Sequence, residues 1–181
     1  ISILAQIERE ELVEELPVVS QILKEGVNRK VLYVALLCHD IGKGRREDHS
    51  VLGARISRGI TARLGLKPSE CETVEWLVRH HLLMSDMAQK RDIADPRTVR
   101  DFANAVKTRE RLDLLTAVTV CDIRGVGPDT WNNWKAVLIR ALYRQTRRAM
   151  EDGLEALNRQ SRGAEAKRNL RENLRGWDPA P

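Results

Sequence analysis

A histidine and an aspartate, His39 and Asp40, stand side by side at the end of an apolar run, in the string ALLCHDIGKG (35–44). The run at 31–38 (VLYVALLC) predicts a buried helix, and a carboxylate at its end needs a cation or several hydrogen bonds. Imidazole beside carboxylate is a natural ligand pair for a divalent metal ion. The negative end of the helix dipole also favours a cation here.

A second acid, Asp122, falls on a helix face that should be apolar. The inner stripe of this predicted helix consists of Leu112, Leu115, Thr119 and Asp122. The structural alternative for Asp122 is a cap beside the glycine-rich turn at 125–129. Because Asp40 poses the same problem on a separate helix, one cation could satisfy both acids. We therefore expect His39, Asp40 and Asp122 to bind a metal.

The remaining candidates for chemistry are three histidines and one lysine. His81 continues an apolar stripe, which favours a core imidazole, whereas His80 is offset from that stripe by one residue. His49 lies in a polar segment, and either His49 or His80 could bind a second metal, contact a phosphate or act as a general acid. Lys43 can reach an anionic substrate oxygen, although a cation at a helix C-terminus is its structural alternative.

Composition favours a soluble helical protein, and the length suits one domain, or one domain with an appendage. The chain has 181 residues, with 42% hydrophobic and only 4% aromatic residues. No apolar stretch reaches the ~20 residues that span a bilayer. The three cysteines show no CxxC spacing, which predicts reduced thiols and a cytoplasmic location. The chain opens with Ile rather than Met, which predicts a piece of a longer protein.

The net charge of +5 belongs to the C-terminal region. Residues 140–175 contain ten Lys/Arg and five Asp/Glu, so the remainder of the chain is neutral. Acids are mixed with the bases at helical spacing and aromatic residues are not interleaved, which argues against a nucleic-acid surface. A solvated helix face, or a link to another domain, is the favoured interpretation.

Nearly every segment predicts a helix, and no strand pattern competes. The predicted helices cover 3–16, 18–24, 29–41, 50–64, 69–84, 96–106, 108–122 and 130–152. Ser69 and Glu72 predict a capping box at the start of the fifth helix. Asp95 and Pro96 predict an N-cap followed by an N1 proline. Gly153 is expected to break the last helix before a polar helical tail.

These motifs together resemble a known family. HDIGKG (39–44) followed by a buried Asp122 resembles the HD superfamily of metal-dependent phosphohydrolases. The longer strings GKGRREDHSVLGA (42–54), HHLLMSDMAQKRDIADPRTVRDFA (80–103) and TVCDIRGVGPDTWNNWKAVLIRALY (119–143) resemble the HD domain of bacterial bifunctional uridylyltransferase/uridylyl-removing enzymes. The resemblance spans about residues 30–150.

The resemblance implies an all-α fold, an HD-domain helical bundle with a C-terminal helical extension. Residues 1–153 would form the HD domain, and 154–181 a connector towards C-terminal ACT domains. A nucleotidyltransferase domain would precede the chain. His39, Asp40 and Asp122 match the family's metal ligands, and the family's first histidine would lie upstream of Ile1.

The resemblance also implies an activity, which is removal of UMP from a uridylylated tyrosine of the PII nitrogen-regulatory protein. The expected cofactor is a divalent metal, Mn²⁺ or Mg²⁺, with Fe or Zn as alternatives. The proposed catalytic residues are Lys43, His49 and His80. Two other hypotheses stay open: a phosphohydrolase of small nucleotides, and a non-catalytic regulatory helical module.

Overall fold

The computed structural model describes residues 1–127 and 130–174 and contains nine α-helices within them. They are α1 (Ser2–Glu8), α2 (Pro17–Glu25), α3 (Arg29–Cys38), α4 (His49–Arg63), α5 (Pro68–His80), α6 (Leu83–Lys90), α7 (Pro96–Val106), α8 (Arg109–Val126) and α9 (Asn133–Leu174). These residues contain no strand. The prediction of an all-α fold is therefore confirmed.

The central element of the fold is α8. Every residue from Leu112 to Cys121 is buried, and α8 contacts α1, α2, α3, α5, α6, α7 and α9. Two threonines fit this apolar setting because each hydroxyl donates to a backbone carbonyl one turn earlier. The distances are 2.7 Å for Thr116 to Leu112 and 2.7 Å for Thr119 to Leu115. Asp122 is therefore carried by a helix that is fixed on all sides.

The helix that leads to His39 is fixed in the same way. Asn28 caps the start of α3, where its side chain accepts a hydrogen bond from the Val31 N–H at 3.2 Å. Leu32, Ala35 and Cys38 are fully buried along one stripe. Contacts with α4, α5 and α8 hold the end of α3 beside three other helices. The helix ends at Cys38, three residues earlier than predicted, and turns follow up to Gly44 at φ +81°.

The predicted helix 3–16 is wrong beyond residue 8. Helix α1 ends at Glu8, and Glu10 adopts a left-handed backbone conformation at φ 61° that a right-handed helix cannot contain. Turns cover residues 9–15, and Leu16 still reaches the core with 3% exposure. Pro17 then occupies the first turn of α2, where its missing N–H costs nothing.

The helix predicted over 69–84 is two helices. The capping box predicted for Ser69 and Glu72 is wrong, because the Lys67 N–H donates to the Glu70 carboxylate at 2.8 Å and α5 begins at Pro68. Helix α5 ends at His80, and a turn leads to α6. The predicted N-cap at Asp95 is confirmed, since its carboxylate accepts from the Arg97 N–H at 2.9 Å.

Gly153 does not break the last helix, contrary to the prediction. Helix α9 continues through it to Leu174, because a glycine inside a helix costs only about 1 kcal/mol. The first part of α9 packs on α6, α7 and α8, and the Tyr143 hydroxyl donates to the buried Asp113 carboxylate at 2.8 Å. In the predicted turn at 125–129, α8 extends to Val126, and residues 128–129 lie outside the described residues.

Two glycines allow the turn after α3 to approach the start of α4. A Cβ on Gly42 would lie 2.2 Å from the His49 carbonyl oxygen and 2.9 Å from the Gly53 backbone nitrogen. A Cβ on Gly53 would lie 3.1 Å from the Val78 side chain of α5. Gly42 is thus required for space, and this contact sets the position of His49 relative to Asp40.

We expect Gly42→Ala to destabilise the protein by about 1–3 kcal/mol, because its methyl group would displace the backbone of His49. The matched control is Gly59→Ala in α4, where a Cβ has nothing within 4 Å. That control should stabilise the protein by about 0.5–1 kcal/mol, the usual gain of alanine over glycine in a helix. Thermal unfolding of both variants measures the difference, and equal melting temperatures would contradict the steric argument.

Candidate metal centre

Four helix ends deliver five polar side chains to one place. His39 and Asp40 follow the last residue of α3, and His49 is the first residue of α4. His81 follows the last residue of α5, and Asp122 lies near the end of α8. Asp48 fixes the start of α4, since its carboxylate accepts from the N–H groups of residues 50 and 51 at 2.9 and 3.0 Å.

The first group of ligand atoms comes from His39, Asp40 and Asp122. One ligand atom from each residue lies within 4.8 Å of the others. His39 Nε2 is 3.2 Å from Asp122 Oδ1 and 3.4 Å from Asp40 Oδ2. The sequence predicted these residues as the metal ligands, and the structure brings all three together. An imidazole and two carboxylates suit a divalent cation.

A second group consists of Asp40, His49 and His81, again with ligand atoms within 4.8 Å of one another. His81 Nε2 lies 4.0 Å from Asp40 Oδ1. The His81 ring meets the ring of His39 edge-on at 5.5 Å between centroids, and that of His49 at 5.3 Å. Asp40 belongs to both groups, with Oδ2 facing His39 and Oδ1 facing His81.

Backbone carbonyls orient two of the imidazoles in the same manner. His39 Nδ1 lies 2.7 Å from the Leu36 carbonyl oxygen, and His81 Nδ1 lies 2.7 Å from the Val78 carbonyl oxygen. An Nδ1–H that donates to a carbonyl leaves Nε2 as the atom with a free lone pair. Both rings therefore present Nε2 to the carboxylates and to any cation bound between them.

The electrostatic environment shifts the pKa values of His39 and His81 in opposite directions. Burial opposes the charged form of His39, but its hydrogen bonds to Asp122 and to the Leu36 carbonyl prevail, and its pKa is raised. Burial lowers the pKa of His81 and outweighs its bond to the Val78 carbonyl. The pKa of Asp122 is lowered, because contact with His39 outweighs the effect of burial. The environment therefore favours the neutral form of His81 and the charged form of His39.

Lys43 lies at the solvent edge of the centre. Its Nζ is 2.6 Å from Asp40 Oδ2, and 61% of its side chain is exposed. The hydrogen bond to Asp40 is the main cause of its raised pKa, so the ammonium group stays charged. Arg45 and Arg46 follow in the same loop, both exposed. The edge of the centre at Asp40 therefore carries the exposed ammonium group of Lys43.

His80 is not in either group. The His80 ring lies 5.0 Å from the Trp76 ring. The Arg111 guanidinium lies 4.9 Å from the centre of the same Trp76 ring. The structure places His81 in the position for which the sequence analysis favoured His80. His81 was correctly assigned to the apolar stripe, with 1% exposure. A polar residue on an apolar stripe was the signal that identified Asp122, and the same signal could have identified His81.

Comparisons with known proteins agree with this geometry. A family model described as "HD domain" matches residues 4–124. The chain is 74% identical over 174 residues to the bifunctional uridylyltransferase/uridylyl-removing enzyme of Ruegeria pomeroyi, covering 96% of this chain. It is 70% identical over 179 residues to the enzyme of the same name from Cereibacter sphaeroides, covering 99%. The corresponding enzyme of Azospirillum brasilense is 51% identical over 180 residues.

These relatives are much longer proteins, since the chain spans 19% of the length of each. None of the helices in the described residues is long and apolar enough to span a membrane. The family match covers most of the chain, including His39, Asp40 and Asp122. The match implies divalent metal binding, which the donor set of the centre fits. The chain belongs to the HD domain family.

Proposed function

We propose that this chain is the uridylyl-removing domain of a bifunctional enzyme. It hydrolyses the phosphodiester between UMP and a tyrosine of the PII nitrogen-regulatory protein. The observation that carries the proposal is the convergence of His39, Asp40 and Asp122 within 4.8 Å, in a chain 74% identical to part of a protein named uridylyl-removing enzyme. Nucleotidyltransferase and ACT domains elsewhere in the longer protein are part of the proposal.

The centre would hold the metal through His39, Asp40 and Asp122, and His49 and His81 could complete a second site through Asp40. Imidazole and oxygen ligands favour Mn²⁺ or Mg²⁺, with Fe or Zn as alternatives. A divalent cation supplies Lewis acidity, which activates water and neutralises charge on a phosphodiester oxygen. His39 and His81 are held ready by their Nδ1 contacts to backbone carbonyls.

Side chains at the edge of the centre would handle the substrate. Lys43 is close enough to Asp40 to contact a phosphodiester oxygen bound beside it, where it would stabilise negative charge. The leaving group is a tyrosine phenolate with a pKa of about 10, which needs little help from a general acid. His49, half-buried at the start of α4, is the candidate for that help. A cytoplasmic location is supported by the three free cysteines.

We expect His39→Ala and Asp122→Ala to lower UMP release from uridylylated PII more than about a hundredfold. Loss of a residue that only hydrogen-bonds to a metal ligand already costs about 10- to 100-fold, and loss of the ligand itself should cost more. Metal content, measured by elemental analysis of the full-length protein, should fall in parallel. Circular dichroism should show unchanged helicity. Asp101→Ala removes an exposed carboxylate of α7 and serves as the control. Full activity in either ligand variant would refute the assignment.

The two adjacent histidines can be separated by experiment. We expect His81→Gln to weaken Mn²⁺ binding about 10- to 100-fold, since His81 Nε2 faces Asp40. His80→Gln should leave Mn²⁺ affinity within about twofold, because His80 contacts Trp76 instead. Calorimetric titration with Mn²⁺ measures the affinity of both variants. A larger loss in the His80 variant would contradict the assignment of His81, rather than His80, to the metal centre.

Lys43→Gln should lower kcat for UMP release by about tenfold or more, since one charge-stabilising donor is lost. Binding of Mn²⁺ should persist, because the glutamine leaves all ligand atoms in place. Lys90→Gln is a matched control, as Lys90 is also exposed and also pairs with a nearby aspartate, Asp86. Equal kcat values for the two lysine variants would remove Lys43 from the mechanism.

A further inference from the structure

Helix α9, remote in sequence from the metal centre, has two opposite faces in its first part. The residues buried against the bundle are Ala136, Ile139, Leu142, Tyr143 and Thr146. Each residue of a helix is rotated by about 100° from the one before it. Five other residues therefore fall within about 80° of one another on the opposite side: Trp134, Val137, Ala141, Arg144 and Arg148. We call these five the outer face of α9.

The first half of the outer face is apolar. Trp134 and Val137 keep 57% and 53% of their surface in water, although both are large hydrophobic residues. They lie one turn apart on the helix, and the half-buried Ala141 follows one turn later. Adjacent exposed apolar side chains are typical of surfaces that another protein covers, and tryptophan is among the residues that contribute most to such contacts.

The second half of the outer face is basic. Arg144 and Arg148 are exposed and lie one turn apart. Within the described residues, no carboxylate oxygen lies within 4.0 Å of either guanidinium group. Arg147, on the neighbouring side of the helix, is different, because it contacts Glu151 at 3.0 Å and Glu25 at 3.6 Å. The charges of Arg144 and Arg148 are therefore available to a partner.

A groove of about 360 Å³ lies beside the same two arginines, between α2 and α9. Pro17 and Val18 contribute apolar surface to it from α2. Its lining also includes Arg147 and Glu151, which are paired with each other. Three guanidinium groups thus line the groove against one carboxylate, and a carboxylate side chain of another polypeptide would be attracted into it.

Charge also indicates which kind of partner covers this surface. A second copy of the chain would bring another net charge of +5, which opposes association of the two copies. An acidic surface with an apolar part matches both halves of the outer face. The chain spans 19% of the length of its relatives, so most of such a protein lies outside the chain and could supply that surface.

We propose that the outer face of α9 and the groove beside it are covered by an acidic surface of another domain of the longer protein. Trp134 and Val137 pack on apolar side chains of that domain, and its carboxylates pair with Arg144 and Arg148. Only one part of the proposed function is assumed here, namely that the chain belongs to a longer protein. The contact does not depend on phosphodiester hydrolysis.

Hydroxyl-radical footprinting of the full-length protein tests this contact, because the oxidation rate of a tryptophan side chain follows its exposure to water. Trp134 should be protected in the unaltered protein. In the double variant Arg144→Glu/Arg148→Glu, repulsion replaces attraction, and oxidation of Trp134 should be roughly fivefold faster. The control is Arg63→Glu, which reverses the charge of another exposed arginine at the end of α4 and should leave the rate unchanged.

Equal oxidation rates of Trp134 in the unaltered protein and in the double variant would overturn the proposed contact. Protection that disappears on dilution would assign the outer face to a second copy and would also overturn it. Protection that is independent of protein concentration and lost in the double variant supports a contact within one molecule. Footprinting needs no substrate, so failure to hydrolyse uridylylated PII would refute the proposed activity and leave this result unaffected.

Discussion

Two carboxylates that the fold partly withdraws from water impose the main constraint on this structure. Asp40 and Asp122 come from separate segments, and the part of each carboxylate that is removed from water needs a compensating partner. His39 lies between them, 3.2 Å from Asp122 and 3.4 Å from Asp40. The buried core of α8 and the close approach of Gly42 to α4 hold the helix ends in this arrangement. The packing of the bundle therefore serves to keep like charges near a site for a cation.

Much of the centre could be predicted because the sequence places polar residues at positions that should be buried. Asp122 interrupts an apolar stripe, and Asp40 follows a buried helix. The sequence alone therefore predicts that the two acids share a cation. His81 posed the same conflict but was assigned to the core, since a buried imidazole can satisfy itself with a backbone carbonyl. The structure shows that one ring does both: Nδ1 contacts Val78 and Nε2 faces Asp40. Local periodicity cannot reveal this, because the second contact joins distant segments.

Helix boundaries were harder to predict because the free-energy differences that decide them are small. Ending or continuing a helix changes the local free energy by only about 1 kcal/mol, so tertiary packing decides. Gly153 was expected to end a helix that continues, and Glu10 interrupts a segment with a good helical stripe. Gly42 shows a related limit. Its decisive property is the room that it leaves for the backbone of His49, and the local sequence does not reveal that close approach.

The membership of Asp40 in both ligand groups has a consequence for how the centre tolerates change. One carboxylate faces His39 through Oδ2 and His81 through Oδ1, so any shift of its plane alters both contacts together. Free energies of substitutions within such a connected set do not add. Alterations on the two sides of Asp40 should therefore be epistatic, and the two imidazoles are constrained to vary as a pair.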